Sequence, residues 1–222
     1  MYLTRLTLLD RPDLGALVRR LGDVYQEHQM LWQLFEPVPD AKRDFLYRRD
    51  DRFGKPRYFI LSQRPPVNTL GLWQIDPPKL FQPKLYAGQR LFFMLRVNPV
   101  VTRNGKRHDV VMDWKQRLGW ADLAPHQRPP IYEIIHQSGL EWLSQRSTKH
   151  GFRIRPETIK VEGYRKHRLN LGKNRLQFAT LDFEGVLIVE NPKLLLQSIE
   201  KGIGPAKAFG CGLMLIRRAQ GQ

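Results

Sequence analysis

Residues 202–212 read GIGPAKAFGCG, and this glycine-rich stretch sets the order of elements near the end of the chain. A helix is predicted before it, because Asn191 is a good N-cap residue and an apolar stripe follows. Gly202 is predicted to end that helix, since glycine adopts a left-handed backbone without strain. A strand is predicted over Leu213–Ile216. The stretch therefore joins a helix to a last strand.

The four glycines also suggest a binding role, because glycine lets a backbone approach a phosphate closely and point N–H groups at it. Gly204 and Lys207 are the candidate phosphate contacts within the stretch. A flexible surface turn is the alternative interpretation. A nucleotide-binding P-loop is excluded, since that motif follows a strand and precedes a helix, whereas the order here is reversed.

Net charge is the strongest compositional signal in this chain of 222 residues. Lysine and arginine number 37 against 21 acidic residues, which gives a net charge of +16 and a pI of about 10.3. Residues 89–222 hold 23 of the basic and 11 of the acidic residues, so most of the excess lies there. Such a charge favours a polyanionic partner, most often nucleic acid. The alternative is a generally basic, solvated surface.

Several classes of protein and site are excluded. No run approaches 18 apolar residues, so no membrane span is predicted, and the first residues resemble a strand rather than a signal peptide. The single cysteine, Cys211, excludes an internal disulfide and favours a cytoplasmic location. None of the six histidines has the spacing of a metal ligand, so neither a metal nor a cofactor is expected.

The hydrophobic pattern divides the chain into two domains, residues 1–88 and 89–222. The second is ordered β-α-β-β-α-β, and the first has the same order with either a short helix or a loop before its last strand. We therefore predict an α+β fold of two tandem ferredoxin-like domains. The elements predicted for the first are a strand at the N-terminus, a short helix over Leu14–Leu21, a helix from Asp23, a hairpin of Phe45–Arg48 with Tyr58–Leu61, and a strand over Leu70–Ile75. Those of the second are strands over Leu91–Val101, Phe152–Tyr164 and Arg175–Val189, a helix from Ile131, and the closing helix and strand.

The helix from Asp23 carries one residue pair that can perform chemistry. Asp23 and Gln26 form a predicted capping box, and Leu31 and Phe35 belong to the core stripe. Tyr25 and His28 are spaced i,i+3 and share one side. Histidine titrates near neutrality and can serve as acid or base, but such a pair on a helix margin can equally be structural.

Basic residues cluster in residues 146–175, which hold ten basic and two acidic side chains. We predict a long hairpin whose arm lies along an RNA stem, with residues 164–168 near its tip. A hairpin kept soluble by charge is the alternative. The residues predicted to contact RNA, here and elsewhere in the chain, are Lys106, Arg107, Arg165, Lys166, Arg168, Lys173, Gly204 and Lys207.

Short motifs recur in a fixed order along nearly the whole chain. They are MYLTRLTL at residues 1–8, Y-x-x-H at Tyr25–His28, RDFL at Arg43–Leu46, LRVNP at Leu95–Pro99, FEGVL at Phe183–Leu187 and GIGPAK at Gly202–Lys207. In this set and order the chain resembles the CRISPR repeat-processing endoribonucleases, and it is most similar to the CasE family, the RNA-processing subunit of the type I-E Cascade complex.

The resemblance implies a fold, an activity and partners. The fold is two tandem ferredoxin-like domains. The activity is metal-independent cleavage of the CRISPR precursor within its stem-loop repeat, leaving a 2′,3′-cyclic phosphate on a product that stays bound. Tyr25 and His28 match the catalytic tyrosine and histidine of the family. The implied partners are the repeat stem-loop RNA and the other Cascade subunits, with no membrane.

One departure from the family pattern concerns positive charge. Some relatives carry a cation beside the histidine, but Asp23–Ala41 has no lysine or arginine, and Gln29 and Gln33 occupy the expected positions. The cation must come from elsewhere, with Lys207 and the basic hairpin as candidates. A non-catalytic RNA-binding subunit of a CRISPR complex remains the alternative function. A binding module of the RRM type is disfavoured, because its RNP pattern is absent from the sequence.

Overall fold

The structure is a computed structural model that describes residues 1–9, 23–36, 43–52, 54–69, 71–171 and 174–219. The chain forms two compact units. The first comprises Met1–Pro83 and Ala206–Leu213, and the second comprises Lys84–Pro205 and Met214–Gln222. The sequence-based division at residue 88 differs chiefly in placing Ala206–Leu213 in the second domain. This segment packs with the first unit because Ala208 and Phe209 contact residues of that unit.

The first unit is built on an antiparallel sheet. Its strands are ordered β2-β3-β1-β4, which is the ferredoxin-like order, and β5 also pairs with β1. One helix, α1, is described in this unit. The bounds are β1 Tyr2–Leu8, α1 Val24–Trp32, β2 Phe45–Asp50, β3 Arg57–Ser62, β4 Trp73–Ile75 and β5 Lys79–Leu80.

Burial follows the alternation of the strands and the stripe of α1. Leu6, Leu31 and Ile60 are fully buried in one apolar cluster that also contains Trp73. This packing fixes α1 on the sheet. Phe35 is buried as predicted but follows the helix end at Trp32. The short helix predicted over Leu14–Leu21 lies outside the described residues, and no helix is found among those described between β3 and β4.

The second unit has the same strand order, β10-β11-β6-β12, with β9 also paired to β11. A hairpin and a short helix are inserted between β6 and α3. The bounds are β6 Arg90–Val97, β7 Val100–Arg103, β8 Lys106–Asp109, α2 Val110–Arg117, α3 Ile131–Ser147, β9 Phe152–Ile154, β10 Lys160–Leu171, β11 Asn174–Val189, α4 Pro192–Lys201 and β12 Met214–Arg218. The predicted α+β class with tandem ferredoxin-like domains is confirmed.

Two strands that were predicted as continuous are interrupted at prolines. Leu91–Val101 divides into β6 and β7 at Asn98-Pro99, and Phe152–Tyr164 divides into β9 and β10 at the 3₁₀ turn Pro156–Thr158. Proline lacks the N–H that a sheet ladder requires and restricts the residue before it, so both breaks have a local cause.

The long hairpin extends further than predicted. Strand β10 continues to Leu171 and β11 begins at Asn174, so Arg165–Arg168 pairs with Gln177–Thr180 inside the ladder and does not lie at the tip. The register shifts between Glu162 and Arg165, around Gly163. Gly163 has φ +67°, and a side chain there would meet Asp182 at 2.7 Å, so this bulge requires glycine.

Candidate active site in the first unit

Helix α1 begins at a well-formed cap that orients the predicted catalytic pair. The Asp23 carboxylate accepts hydrogen bonds from the backbone N–H groups of Tyr25, at 2.8 Å, and Gln26, at 3.0 Å. Tyr25 and His28 are both half-buried, one turn apart on the helix. Their rings make no mutual contact in the described structure, so what they share is a helix side.

His28 sits in an aromatic enclosure. Its ring centroid lies 5.6 Å from that of Trp32, 6.5 Å from that of Phe45 and 6.2 Å from that of Phe209. Its Nδ1 atom is buried and has no hydrogen-bond partner among the described residues. A buried polar atom without a partner costs free energy and is characteristic of functional sites. Nε2 is therefore the nitrogen through which His28 can exchange a proton with a ligand.

Positive charge reaches His28 from outside its helix. Burial, and then the charge of Arg43, lower the pKa of His28, so its neutral form is favoured. The same two causes, in the same order, lower the pKa of Lys207. Arg43 is itself half-buried, and its Nε has no hydrogen-bond partner among the described residues. The charge of Arg43 thus acts on both His28 and Lys207.

Arg43 is the charged neighbour of His28 that residue-by-residue reasoning did not single out. It lies two positions beyond the stretch without lysine or arginine, and in the sequence it stands out only as the first residue of the RDFL motif. Lys207, in contrast, was predicted, and it opens the 3₁₀ turn Lys207–Phe209 whose Phe209 ring contacts His28. Gln29 and Gln33 are both exposed on or next to α1 and add no charge.

A buried carboxylate ties α1 to the sheet beneath it. Glu27 is 3% exposed and accepts a hydrogen bond from Tyr58 at 2.6 Å and one from Arg49 at 3.0 Å. The Tyr47 hydroxyl lies 3.4 Å from Glu27 Oε2 and 3.3 Å from the carbonyl oxygen of Ala208. Burial and the charge of Glu27 raise the pKa of both tyrosines, which remain protonated donors. We call these four residues, Glu27, Tyr47, Arg49 and Tyr58, the carboxylate clamp.

The predicted RNA contacts of the second unit fall into separate places. Lys106 and Arg107 are exposed on β8, just after the turn at Asn104-Gly105, and adjacent strand positions point to opposite faces. Gly204 belongs to the second unit, whereas Lys207 belongs to the first. Lys173 lies outside the described residues.

The hairpin residues are divided between two faces. Lys166 is paired with Ala179, and Arg168 with Gln177, which places their side chains on one face together with exposed Arg175. Arg165 is paired with Thr180 on the opposite face. His167 shares that face with Arg165, stacks on Phe178 at 4.7 Å and lies 3.1 Å from Thr180 Oγ1. The structure therefore separates Arg165 from Lys166 and Arg168.

Two further observations concern the described ranges only. They contain no group of three or more His, Cys, Asp or Glu side chains placed to hold a metal ion. Within the same ranges, no helix has both the length and the apolar character that a membrane span requires.

Comparison with known proteins decides the family. The family described as CRISPR associated protein matches residues 1–218. The Escherichia coli K12 protein called CRISPR system Cascade subunit CasE is 32% identical over 194 residues, covering 86% of this chain and 90% of the relative. The chain belongs to the CasE family.

Two further comparisons, one with a sequence and one with a solved structure, agree with this assignment. CRISPR-associated endoribonuclease Cse3 of Thermus thermophilus is 30% identical and covers 97% of this chain and 99% of its own length. A solved structure of CRISPR endoribonuclease Cse3 bound to a 19-nucleotide RNA superposes with a TM-score of 0.74 at 27% identity, covering 98% of this chain and 100% of that one. The match in fold therefore extends over the whole chain.

Proposed function

We infer that this chain is an endoribonuclease that processes CRISPR precursor RNA and serves as a subunit of Cascade. Its CasE relative is a named Cascade subunit, its Cse3 relative is a named endoribonuclease, and a Cse3 structure contains RNA. The observation that carries the proposal is the His28 environment. A half-buried histidine with one enclosed nitrogen, a lowered pKa and two cations nearby suits phosphoryl chemistry.

The reaction we propose uses the nucleophile of the RNA itself. The 2′-oxygen upstream of the scissile phosphate attacks phosphorus, the P–O5′ bond breaks, and a 2′,3′-cyclic phosphate and a 5′-hydroxyl result. Neutral His28 accepts the 2′-hydroxyl proton through Nε2, and its lowered pKa favours this neutral form. Tyr25, one turn earlier on α1, orients the phosphate or helps move the proton.

Arg43 and Lys207 are the cations that we assign to the developing negative charge on the phosphoryl oxygens. Arg43 supplies fixed charge, because its guanidinium does not titrate near neutrality. Lys207 can also donate the proton that the leaving 5′-oxygen takes up, and its lowered pKa makes it a better donor than a solvated lysine. Arg43 and Lys207 together supply the positive charge that Gln29 and Gln33 lack.

RNA binding draws on basic residues of both units. On the hairpin we assign the stem contacts to the face of Lys166, Arg168 and Arg175, because three exposed cations share it. Lys106 and Arg107 provide further exposed charge. For the location of the protein we propose a reducing cytoplasm, since a chain with one cysteine, Cys211, is not built around internal disulfides.

The test is single-turnover cleavage of a repeat stem-loop RNA in excess EDTA. Wild-type protein should cut at one position, and His28→Ala should abolish the cut while RNA affinity stays within a few-fold. His126→Ala is the matched control, because that histidine is exposed in the other unit. Tyr25→Phe should slow cleavage less than His28→Ala.

A second substrate checks the nucleophile. An RNA with a 2′-deoxy nucleotide just upstream of the scissile phosphate should bind but not be cut. Cutting of that RNA, or an absolute requirement for magnesium, would refute the mechanism. A shift in mobility without any cut by the wild-type protein would favour the alternative, a non-catalytic RNA-binding subunit.

A further inference from the structure

The second unit contains a cavity of about 400 Å³ that the proposed cleavage reaction does not use. Its wall combines the end of α3, the 3₁₀ turn Thr148–His150 and the start of the glycine-rich stretch. The residues on which the following argument depends are Trp142, Gln145, Arg146, Lys149, His150 and Gly204.

Arg146 is held as a flat platform in the cavity wall. Its guanidinium carbon lies 4.4 Å from the ring centroid of Trp142, a residue that is only 2% exposed. Nη2 donates to the carbonyl oxygen of Val100 at 2.8 Å, and Nη1 donates to that of Trp142 at 3.3 Å. A guanidinium has five N–H donors and two faces, so this arrangement fixes its plane and leaves donors for a ligand.

The cavity is electrically positive. Arg146, Lys149 and His150 are its ionisable lining residues, and no carboxylate is found among the described residues that line it. The carboxylate of Glu141, one turn before Gln145, accepts a hydrogen bond from Gln145 Nε2 at 3.0 Å. The two bonds of Arg146 go to neutral carbonyls, and burial lowers the pKa of Arg146. Its charge is thus not balanced by a neighbouring acid.

Gly204 adds a backbone donor to the same cavity. Its amide donates no hydrogen bond to any residue that the structure describes. The only atom near a Cβ placed on Gly204 is the carbonyl oxygen of Asn98, at 3.8 Å, so its surroundings are open. A backbone N–H that has no partner among the described residues, in a cavity that a lysine also lines, is a combination suited to phosphate oxygens.

We propose that this cavity binds one unpaired nucleotide of the repeat RNA, next to the stem. Its phosphate contacts Lys149 and the Gly204 amide, and its base stacks on the open face of Arg146. A paired stem presents its phosphates on a surface and cannot enter a cavity of this size, whereas an unpaired base can be splayed out and stacked on a guanidinium plane. The inference rests on the proposed function, because it takes RNA as the ligand.

The experiment compares the affinity of the full chain for three RNAs that carry the 2′-deoxy block. One is the stem-loop alone, and the others carry five unpaired nucleotides on its 5′ or 3′ side. The readout is the ratio of dissociation constants, stem-loop over extended RNA. For wild type one extension should give a ratio of at least about five. Lys149→Glu should bring that ratio to about one, whereas Lys84→Glu, an exposed change of equal charge outside the cavity, should preserve it.

The base contact is tested separately with Arg146→Lys, which keeps the charge and removes the flat face. Abasic substitution in the extension should weaken binding by wild type but not by Arg146→Lys. A wild-type ratio near one, or a ratio unchanged in Lys149→Glu, would overturn the subsite. If the unblocked stem-loop is still cut at its normal position, only the subsite fails. If the stem-loop is neither bound nor cut, the proposed function fails.

Discussion

Tyr58→Phe tests whether the carboxylate clamp holds α1 in place. The change removes one hydroxyl, which donates to Glu27 Oε1 at 2.6 Å between two residues that are 0% and 3% exposed. A hydrogen bond to a charged acceptor contributes about 1.5–3 kcal/mol to stability. We expect the free energy of unfolding to fall by about 2 kcal/mol, near the middle of this range, because Arg49 still engages the carboxylate at 3.0 Å. That loss lowers Tm by about 4–8 °C when the whole chain unfolds together, and by about 8–16 °C when the first unit unfolds in a transition of its own.

Tyr47→Phe is the matched control. The Tyr47 hydroxyl lies 3.4 Å from Glu27 and 3.3 Å from the Ala208 carbonyl, so its single proton serves one long hydrogen bond at a time. We expect a loss of about 0.5–1 kcal/mol, in the range of a neutral hydrogen bond. Thermal unfolding followed by circular dichroism measures both variants. The two units can unfold separately, so the transition of the first unit is the one compared.

Activity gives the second measurement on the same variants. His28 follows Glu27 directly on α1, and a displacement of about 1 Å in a catalytic group can cost 10²-fold in rate. The single-turnover rate of Tyr58→Phe should therefore fall at a temperature where the variant is still folded. Two results would contradict this reasoning. One is a free energy of unfolding for Tyr58→Phe within about 0.5 kcal/mol of wild type, which is the level of ordinary surface substitutions. The other is a lower stability for Tyr47→Phe than for Tyr58→Phe.

Two further predictions concern charge. Arg43 lowers the pKa of His28, so Arg43→Gln should raise that pKa and move the rising limb of the pH–rate profile for cleavage to higher pH, besides reducing the maximum rate. A profile that keeps its midpoint would show that His28 is not the base. Lys166→Ala combined with Arg168→Ala should reduce the slope of log K against log salt by about 0.7–0.9 for each lost phosphate contact. Arg165→Ala, on the opposite face, should leave that slope unchanged. A reduced slope for Arg165→Ala alone would show that the RNA binds the face of the hairpin that carries Arg165.

The order of elements was predictable because it depends on local signals. Caps, apolar periodicity and glycine stops act over a few residues, and they placed α1, α3, α4 and the closing strand correctly. The two strand breaks had equally local signals in Pro99 and Pro156, but long apolar runs outweighed them in the prediction. The sequence was therefore sufficient for the main order of elements, but not for the ends of the strands or for the inserted hairpin of β7 and β8 and helix α2.

The charge around His28 was not predictable in the same way. Arg43 and Lys207 are 15 and 179 positions from His28 along the chain, and only the packed fold brings the charge of Arg43 to bear on both His28 and Lys207. The role of Glu27 is likewise invisible in the pattern, where an acid in the first turn of a helix reads as a solvated residue. Its burial becomes apparent only when Tyr58 and Arg49 are seen beneath the helix.

The hairpin shows how one residue can alter an interpretation. A bulge adds a residue to one strand and reverses which face each later side chain occupies. The bulge at Gly163 precedes all three predicted contacts, Arg165, Lys166 and Arg168. Strand alternation alone places Arg165 opposite Lys166 and Arg168, but which face of the sheet each occupies depends on a register that composition does not encode.

The glycine-rich stretch likewise performs two tasks instead of one. Gly204 belongs to the second unit and lines the cavity, so we assign it to ligand binding. Gly210 belongs to the first unit and has φ +75°, and a Cβ there would approach Tyr47 Cε2 to 3.1 Å. Glycine at 210 therefore serves the packing that brings Phe209 to His28. Substitutions at the two glycines should accordingly affect different steps, RNA affinity at Gly204 and the cleavage rate at Gly210, although both lie in a single motif.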